Sequence, residues 1–311
     1  MSIHQLDIYG KDKVETAITR LKTFEPPEGY FLAFSGGKDS VVIKALADMA
    51  GVKYDAHYQV TSVDPPELVR FVKTFDDVSF DRPKDADGNQ ITMWNLIPKK
   101  KMPPTRIVRY CCKELKETSG EGRFVVTGVR WEESAKRKLR GGLELAKKKS
   151  HRLENFDPDN PSQELIHICP DHARRHLNPI IDWTTEEVWE FIREYNVPYC
   201  CLYDEGWKRL GCIGCPMATI EHRLEDFERY PKYKQAYIRA FDRMIAERDG
   251  GGITTDSRQE KNCTDTGAST EWADNERTVE LSNGERAFRL LAQMPMKEWE
   301  NGREVMEWWI K

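Results

Sequence analysis

Six consecutive residues, SGGKDS at Ser35–Ser40, are the part of this sequence best suited to chemistry. They follow the apolar run Tyr30–Phe34, which predicts a buried strand, and they precede Val41–Met49, which predicts a helix. A glycine-rich turn between a strand and a helix gathers backbone N–H groups at the positive end of the helix dipole. The segment therefore predicts a phosphate-binding loop that opens a parallel α/β unit.

The side chains of this loop support the same prediction. Gly36 and Gly37 permit a tight turn and a close backbone approach to an anion, and Lys38 adds a positive charge. Asp39 is suited to hold a magnesium ion or to orient the loop, so Lys38 and Asp39 are the candidate catalytic residues. Two serines add hydroxyl donors: Ser35 and Ser40. The glycine and lysine spacing of a Walker loop is absent.

A second candidate segment, TGVRWEESAKR at Thr127–Arg137, follows the apolar strand candidate Phe124–Thr127. Gly128 allows a close approach of the backbone, and Glu133 is placed to orient an arginine. Three residues of this segment are candidate donors to phosphate oxygens: Arg130, Ser134 and Arg137.

Eight cysteines in a chain expected to be intracellular point to metal binding or catalysis rather than to disulfides. Four of them form the candidate ligand set, an adjacent pair followed by a C-x-x-C pair: Cys111, Cys112, Cys212 and Cys215. Four thiolates suit zinc or an iron–sulfur cluster, and the spacing leaves both open, as it does free or redox-active thiols. The remaining cysteines have other predicted roles: Cys200 and Cys201 as a replacement ligand or a sulfur relay, Cys169 as a buried thiol, and Cys263 as an exposed one.

Charge is distributed unevenly along the chain. The net charge is −4, yet residues 99–150 hold 16 Lys and Arg against 6 Asp and Glu. A basic segment in an acidic chain is typical of contact with the phosphates of a nucleotide or a nucleic acid, although the lysine runs within it also suit a surface loop. No apolar run approaches a membrane span and the first residues do not resemble a signal peptide, so a cytoplasmic protein without a membrane partner is expected.

The order of predicted elements indicates the fold class. Strand candidates alternate with helix candidates, which predicts an α/β fold with a doubly wound, mainly parallel sheet and helices on both faces. We expect one large domain over residues 1–248 and a polar linker or mobile loop over 249–275. A small C-terminal helical appendage is expected over 276–311.

The loop SGGKDS resembles the PP-loop of the adenine nucleotide α-hydrolase superfamily, the N-type ATP pyrophosphatases. That resemblance implies binding of ATP with Mg²⁺, cleavage between the α and β phosphates, and release of pyrophosphate while AMP stays on an acceptor.

Residues 28–240 are similar, more narrowly, to the phosphoadenosine-phosphosulfate-reductase-like family, through the cysteine pattern, TGVRWEESAKR and the segments Leu177–Ile192 and Val197–Pro216. This resemblance implies that the four-cysteine set holds a [4Fe–4S] cluster, with zinc as the alternative occupant. It implies packing roles for the tryptophans of the first of those two segments, and it leaves 250–311 unexplained.

Two departures favour ATP over a sulfonucleotide. The near-C-terminal Glu-Cys-Gly-x-His motif of true sulfonucleotide reductases is missing, and Lys38, suited to grip a pyrophosphate leaving group, is present. The chain is thus more similar to sulfur-transfer members such as those of DNA phosphorothioation. The predicted function is an ATP pyrophosphatase that adenylylates an acceptor for sulfur transfer, and its expected partners are an adenine nucleotide, a nucleic-acid or protein acceptor and a sulfur-donor protein.

Two alternatives remain open from the sequence. The first is a reductase of adenylyl sulfate or its 3′-phosphate that uses Cys200, Cys201 or Cys263 as the nucleophile. The second is a nucleic-acid-binding partner or regulator whose nucleotide site acts as a sensor.

Overall fold

The computed structural model describes residues 2–6, 10–117, 119–147, 153–160, 172–248 and 299–311. The predicted linker over 249–275 lies outside these residues, as do Cys169 and Cys263. The chain divides into two compact units, each built from two stretches of sequence. The first unit comprises Met1–Thr92 and Cys112–Ile213, and the second comprises Met93–Cys111 and Gly214–Lys311.

A seven-stranded sheet forms the first unit. Its strands are β1 (Tyr30–Ala33), β2 (Tyr54–Gln59), β3 (Val78–Asp81), β4 (Phe124–Val126), β5 (Leu143–Lys147), β6 (Leu153–Phe156) and β7 (His172–Leu177). The strand order is β3-β2-β1-β4-β7-β5-β6. Neighbours from β3 through β7 run parallel, whereas β5 is antiparallel to both β7 and β6. The predicted α/β fold with a mainly parallel sheet is therefore confirmed.

Among the described residues, four helices belong wholly to this unit: α1 (Lys13–Thr23), α2 (Lys38–Ala50), α3 (Pro66–Val72) and α6 (Thr185–Glu194). A capping box begins α6, because the Thr184 side chain accepts from the Glu187 N–H and the Glu187 carboxylate accepts from the Thr184 N–H. The central strands β1 and β4 are almost entirely buried, as their apolar runs predict.

Strand β7 ends at Leu177, because Pro179 has no N–H for the ladder and the Asn178 side chain donates to the Gly141 carbonyl. The hairpin of β5 and β6 lies in the basic stretch, where the charged residues conceal the strand pattern.

Helices make up the second unit. They are α4 (Met93–Lys100), α7 (Ile220–Arg229), α8 (Pro231–Arg248) and α9 (Gly302–Ile310), while α5 (Tyr110–Leu115) contains the division between the units. The indole of Trp309 on α9 packs against Tyr237 and Phe241, with ring centroids 4.8 and 5.3 Å away. Its N–H donates to the Pro104 carbonyl. The C-terminal helix is thus part of this unit's core.

No helix in the described ranges is long and apolar enough to cross a membrane.

Candidate functional site

The predicted phosphate loop connects β1 to α2. Gly37 is the N-cap of α2, and Gly36 adopts a φ of +72°. A Cβ atom at Gly36 would lie 2.6 Å from Val72 Cγ2 and 2.7 Å from Leu68 Cδ1, both on α3. Glycine is therefore required here for two reasons, a left-handed backbone and a neighbouring helix that leaves no room for a side chain.

A Gly36→Ala substitution is expected to destabilise the first unit more than Gly51→Ala. Both glycines have left-handed φ values, which cost an alanine about 1–2 kcal/mol. A Cβ at Gly51 meets nothing within 4 Å, so only Gly36→Ala adds overpacking, worth about 1–3 kcal/mol. Thermal unfolding followed by circular dichroism should place the midpoint of Gly36→Ala roughly 5 °C below that of Gly51→Ala. Equal midpoints would contradict the packing of α3 on the loop.

Hydroxyl groups order the interior of the loop. Ser40 Oγ donates to the Gly37 carbonyl at 2.8 Å and lies 3.2 Å from Ser35 Oγ. The Lys38 N–H, one of the amides at the start of α2, donates to the phenolic oxygen of Tyr203 at 2.9 Å. Burial raises the pKa of Tyr203 above its ordinary value, so its hydroxyl stays protonated and retains a donor. Tyr203 was not predicted as a site residue from the sequence. The one feature that could have indicated it is its place in Val197–Pro216, a segment that resembles the reductase-like family.

Asp39 lies between two cations. Its Oδ2 is 3.0 Å from Lys38 Nζ and its Oδ1 is 2.7 Å from Arg130 Nε. Lys38 and Arg130 are both buried, at 7% and 1% exposure. The structure thus brings the two predicted catalytic residues and one predicted phosphate ligand into a single ion-paired chain, in which Asp39 fixes the positions of both cations.

Arg130 directs its donors at protein groups. Besides Asp39, it donates to the Glu132 carboxylate at 2.9 Å and to the Trp183 carbonyl at 3.1 Å. Its remaining contact is with Thr185 Oγ1 at 3.3 Å. The sequence suggested a direct phosphate contact, but this hydrogen-bond set suits a residue that positions Asp39.

Gly128 permits this arrangement. A Cβ atom there would lie 3.0 Å from Asp39 Cβ and 3.1 Å from the Asp39 carbonyl carbon. The end of β4 therefore approaches the first turn of α2 more closely than a residue with a side chain would allow.

Positive charge accumulates beside the loop. Burial lowers the pKa of Arg137 from its ordinary value, and the neighbouring Arg209 and Arg140 lower it further, while Asp39 opposes them. Arg137 forms an ion pair with Glu133, and its backbone N–H donates to Ser134 Oγ at 3.3 Å. The guanidinium groups of these three arginines repel one another. An anion that binds among them would offset this repulsion and would therefore be stabilised. Sequence reasoning named Arg137 but missed Arg209 and Arg140.

Two of the four candidate cysteine ligands lie in the first unit. Cys212 Sγ is 3.7 Å from Thr61 Oγ1 and 3.8 Å from Asp64 Oδ1. The thiolate charge of Cys212 raises the pKa of Lys116, with further contributions from Asp64 and Cys112, and Lys116 also hydrogen-bonds to Cys212. Cys112 and Cys212 therefore share one cationic neighbour.

The other two candidate ligands, Cys111 and Cys215, lie in the second unit. The turn after Cys212 places Gly214 at a φ of +68°, and the Gly214 N–H donates to the buried carboxylate of Asp226 at 2.8 Å. Arg223, 5% exposed, interacts electrostatically with Cys215, and its Nε and Nη2 are buried without a hydrogen-bond partner among the described residues. Unsatisfied guanidinium donors beside a thiol suit a negatively charged sulfur group.

A preformed metal site is not visible within the described ranges, because no three His, Cys, Asp or Glu side chains there are arranged to hold a metal ion. None of the six described cysteines forms a disulfide: Cys111, Cys112, Cys200, Cys201, Cys212 and Cys215. The donor chemistry nevertheless fits an anionic iron–sulfur cluster, since both cysteine pairs have a cationic side chain beside them. The four-cysteine ligand set stays a prediction.

Cys200 and Cys201 begin the 3-10 turn Cys201–Tyr203, whose last residue contacts the phosphate loop. Cys200 is fully buried, which raises its pKa to about 11, whereas Cys201 is exposed. Cys201 is therefore the more accessible thiol near the loop.

Residues 29–218 match the family model described as the phosphoadenosine phosphosulfate reductase domain. An adenosine 5′-phosphosulfate reductase from Pseudomonas aeruginosa is 28% identical over 209 residues, which are 63% of this chain and 70% of that protein. An uncharacterized protein from Methanocaldococcus jannaschii is 28% identical over 230 residues, 70% of this chain but 48% of its own length.

Among solved structures, phosphoadenylyl-sulfate (PAPS) reductase from Candida auris in a phosphate complex is similar, with a TM-score of 0.42 and 16% identity. That match covers 68% of this chain and 98% of the reductase chain.

Proposed function

The chain belongs to the phosphoadenosine phosphosulfate reductase domain family, and from that premise we propose that it binds ATP, releases pyrophosphate and adenylylates an acceptor. The observation that carries the proposal is the cationic arrangement around the SGGKDS loop. Lys38 lies at the first turn of α2, held by Asp39, and Arg137 lies beside Asp39 with two further arginines near it. ATP carries more negative charge than adenylyl sulfate, which is a phosphate–sulfate anhydride without β- and γ-phosphates, so this accumulation of cations suits the triphosphate.

The proposed reaction is an in-line displacement at the α-phosphorus. An acceptor oxygen forms a bond to that phosphorus, the bond to the β-phosphate oxygen breaks, and pyrophosphate leaves with the electron pair while the acceptor proton passes to solvent. Lys38 would stabilise the charge that develops on the departing pyrophosphate, and Asp39 would keep Lys38 and Arg130 in position. When bound with the nucleotide, Mg²⁺ supplies further neutralisation of phosphate charge.

Sulfur transfer is the proposed purpose of this activation. AMP attached to an acceptor is a good leaving group, so a sulfur nucleophile can form a bond to the acceptor atom as AMP departs. The sulfur would come from a donor protein, and the acceptor would be a nucleic acid or a protein.

We propose that Cys111, Cys112, Cys212 and Cys215 hold a [4Fe–4S] cluster, with zinc as the alternative occupant. Lys116, which hydrogen-bonds to Cys212, and Arg223, which interacts with Cys215, would offset the cluster's negative charge. The cluster would supply a rigid anionic sulfur centre when bound.

Nucleotide competition on anaerobically purified protein tests the proposal without knowledge of the acceptor. A fluorescent ATP analogue is displaced by ATP with Mg²⁺, by adenylyl sulfate or by its 3′-phosphorylated form. We expect ATP to compete at least tenfold better than either sulfonucleotide, because only ATP offers β- and γ-phosphates to Lys38 and Arg137. A preference for a sulfonucleotide would overturn the ATP assignment.

One observation favours a second function, the reductase. Cys201 is an exposed thiol on the same turn as Tyr203, whose hydroxyl contacts the Lys38 amide. The Cys201 thiolate would form a bond to the sulfur of a sulfonucleotide bound at the loop as the nucleotide phosphate leaves, and an added thiol reductant would then release sulfite from the resulting S-sulfonate. Preference for a sulfonucleotide in the competition, with sulfite release abolished by Cys201→Ser but retained in Cys200→Ser, would establish that function.

A further inference from the structure

A groove of about 460 Å³ lies between α4 and α8 in the second unit. Its lining is Trp94, Ala236, Arg239, Asp242 and Arg243. We call it the α4–α8 groove. Neither the phosphate loop nor the four-cysteine set includes any of these residues, so the groove has no role in the chemistry proposed above.

One face of α8 along this groove is cationic. Lys232, Arg239 and Arg243 are exposed and fall at positions i, i+7 and i+11, within about 40° of one another around the helix axis. Their Cα atoms are spaced by about 10.5 and 6 Å along the axis. The acidic residue of the lining, Asp242, is engaged elsewhere, because its Oδ1 accepts from the Gly302 N–H at 2.6 Å.

The stretch of sequence that contains α4 contributes Trp94 to the groove lining and is itself basic. The segment Met93–Cys111, which includes α4, contains five basic residues and no Asp or Glu: Lys99, Lys100, Lys101, Arg106 and Arg109. Four of these are exposed and Lys100 is partly so. The cations in the groove lining are thus Arg239 and Arg243, and the basic residues near α4 add positive charge to the same unit, which favours a polyanion.

An aromatic side chain lies between these charges. Trp94 is partly exposed and packs edge-on against Tyr237, with ring centroids 5.1 Å apart, and lies 6.3 Å from the ring of Tyr233. The Arg243 guanidinium donates to the Trp94 carbonyl at 2.7 Å, which fixes the start of α4 beside α8. A supported indole flanked by exposed arginines is what a base needs for stacking while its phosphates are neutralised.

We propose that the α4–α8 groove binds single-stranded nucleic acid, with Trp94 as the stacking platform and Lys232, Arg239 and Arg243 as phosphate contacts. A protein partner with an acidic surface would not use the indole in this way, and a duplex would not offer unstacked bases to it. The inference rests on the proposed function for the chemistry. It deepens that function by naming single-stranded nucleic acid as the class of acceptor.

Fluorescence anisotropy of the full chain with labelled 12-nucleotide oligo-U and oligo-dT tests this binding, and a 12-base-pair duplex provides the comparison. The main variant is Lys232→Glu/Arg239→Glu, because both side chains are exposed. Lys53→Glu/Lys73→Glu, on exposed positions of the first unit, makes the same change in net charge. We expect the groove variant to bind at least tenfold more weakly than this control. The slope of log K against log[salt] should be about 1.4 units shallower, since two phosphate contacts are lost at about 0.7 each.

Trp94→Ala should weaken single-strand binding roughly tenfold while leaving the salt slope unchanged, since stacking contributes about 1–3 kcal/mol per base. No binding to either oligonucleotide at 50 mM salt, or equal losses in the groove and control variants, would overturn the proposal. Tighter binding to the duplex would exclude the stacking role. Tighter binding of oligo-U would identify RNA as the nucleic acid bound, and tighter binding of oligo-dT would identify DNA.

The nucleotide competition keeps this inference separable from the proposed function. Lys232→Glu/Arg239→Glu should compete for ATP like the unmodified chain, because neither residue belongs to the loop or to the unit that contains it. If the chain binds the oligonucleotides but does not prefer ATP, nucleic-acid binding at the groove stands and the proposed adenylylation is rejected. If the chain prefers ATP but binds no oligonucleotide, the adenylylation stands and binding at the groove is rejected.

Discussion

Replacing Lys38 with alanine is expected to lower pyrophosphate release by about 10²–10³-fold while the protein stays folded. Lys38 is the cation at the first turn of α2, 7% exposed and held 3.0 Å from Asp39 Oδ2. Its removal deletes the charge proposed to stabilise the leaving group. The fold should survive because Asp39 keeps its ion pair with Arg130 and the helix keeps its backbone bonds. Pyrophosphate release under saturating ATP, with water as the acceptor oxygen, measures the rate, and far-ultraviolet circular dichroism of the same samples reports whether the fold is retained.

The matched control for that variant is Lys53→Ala, an exposed lysine of the same unit with the same loss of charge. Its rate should equal that of the unmodified chain. A Lys38→Ala rate within threefold of this control would reject Lys38 as a catalytic residue.

The second large effect concerns metal content. Cys112→Ser is expected to lower the iron content of anaerobically purified protein to a small fraction of its normal value, and Cys212→Ser should do the same. Both thiols lie beside Lys116, and a serine oxygen is a poor substitute for thiolate toward iron. Elemental analysis for iron and zinc, with visible absorbance of the sulfur-to-iron bands, checks the result.

Cys201→Ser provides the control, since Cys201 is exposed and outside the predicted ligand set. Unchanged iron in Cys112→Ser, accompanied by iron loss in Cys201→Ser, would move the ligand assignment to the Cys200–Cys201 pair. Zinc in place of iron in the unmodified chain would support the alternative occupant and reject the cluster.

The phosphate loop could be predicted because its determinants are local. SGGKDS joins an apolar run to a helical pattern over a few residues, and the structure has β1 ending at Ala33 and α2 beginning at Lys38. The alternation of strands and helices likewise predicted the mainly parallel sheet. The antiparallel β5–β6 hairpin could not be predicted, because charged residues fill that stretch and its pairing depends on β7, which lies further along the chain.

The environment of the loop depends on distant residues. Tyr203 reaches the Lys38 amide across 165 positions of sequence, and Arg209 acts on Arg137 across 72 positions. Nothing in the local pattern of either residue indicates such a contact. The protein partners of Arg130 could not be predicted for the same reason, since Trp183 and Thr185 lie more than fifty positions away; its predicted phosphate contact stays a prediction.

The bond between Arg223 and Trp309 bears on how the protein is made in the cell. Arg223 Nη1 donates to the Trp309 carbonyl at 2.7 Å, and the guanidinium stacks 4.4 Å from the indole centroid. The partner of Arg223 is synthesised 86 residues later, so during translation the guanidinium beside Cys215 lacks this support. The surroundings of Cys215 therefore reach the form described here only after Trp309 has been synthesised, and a group that depends on them would be inserted after that point.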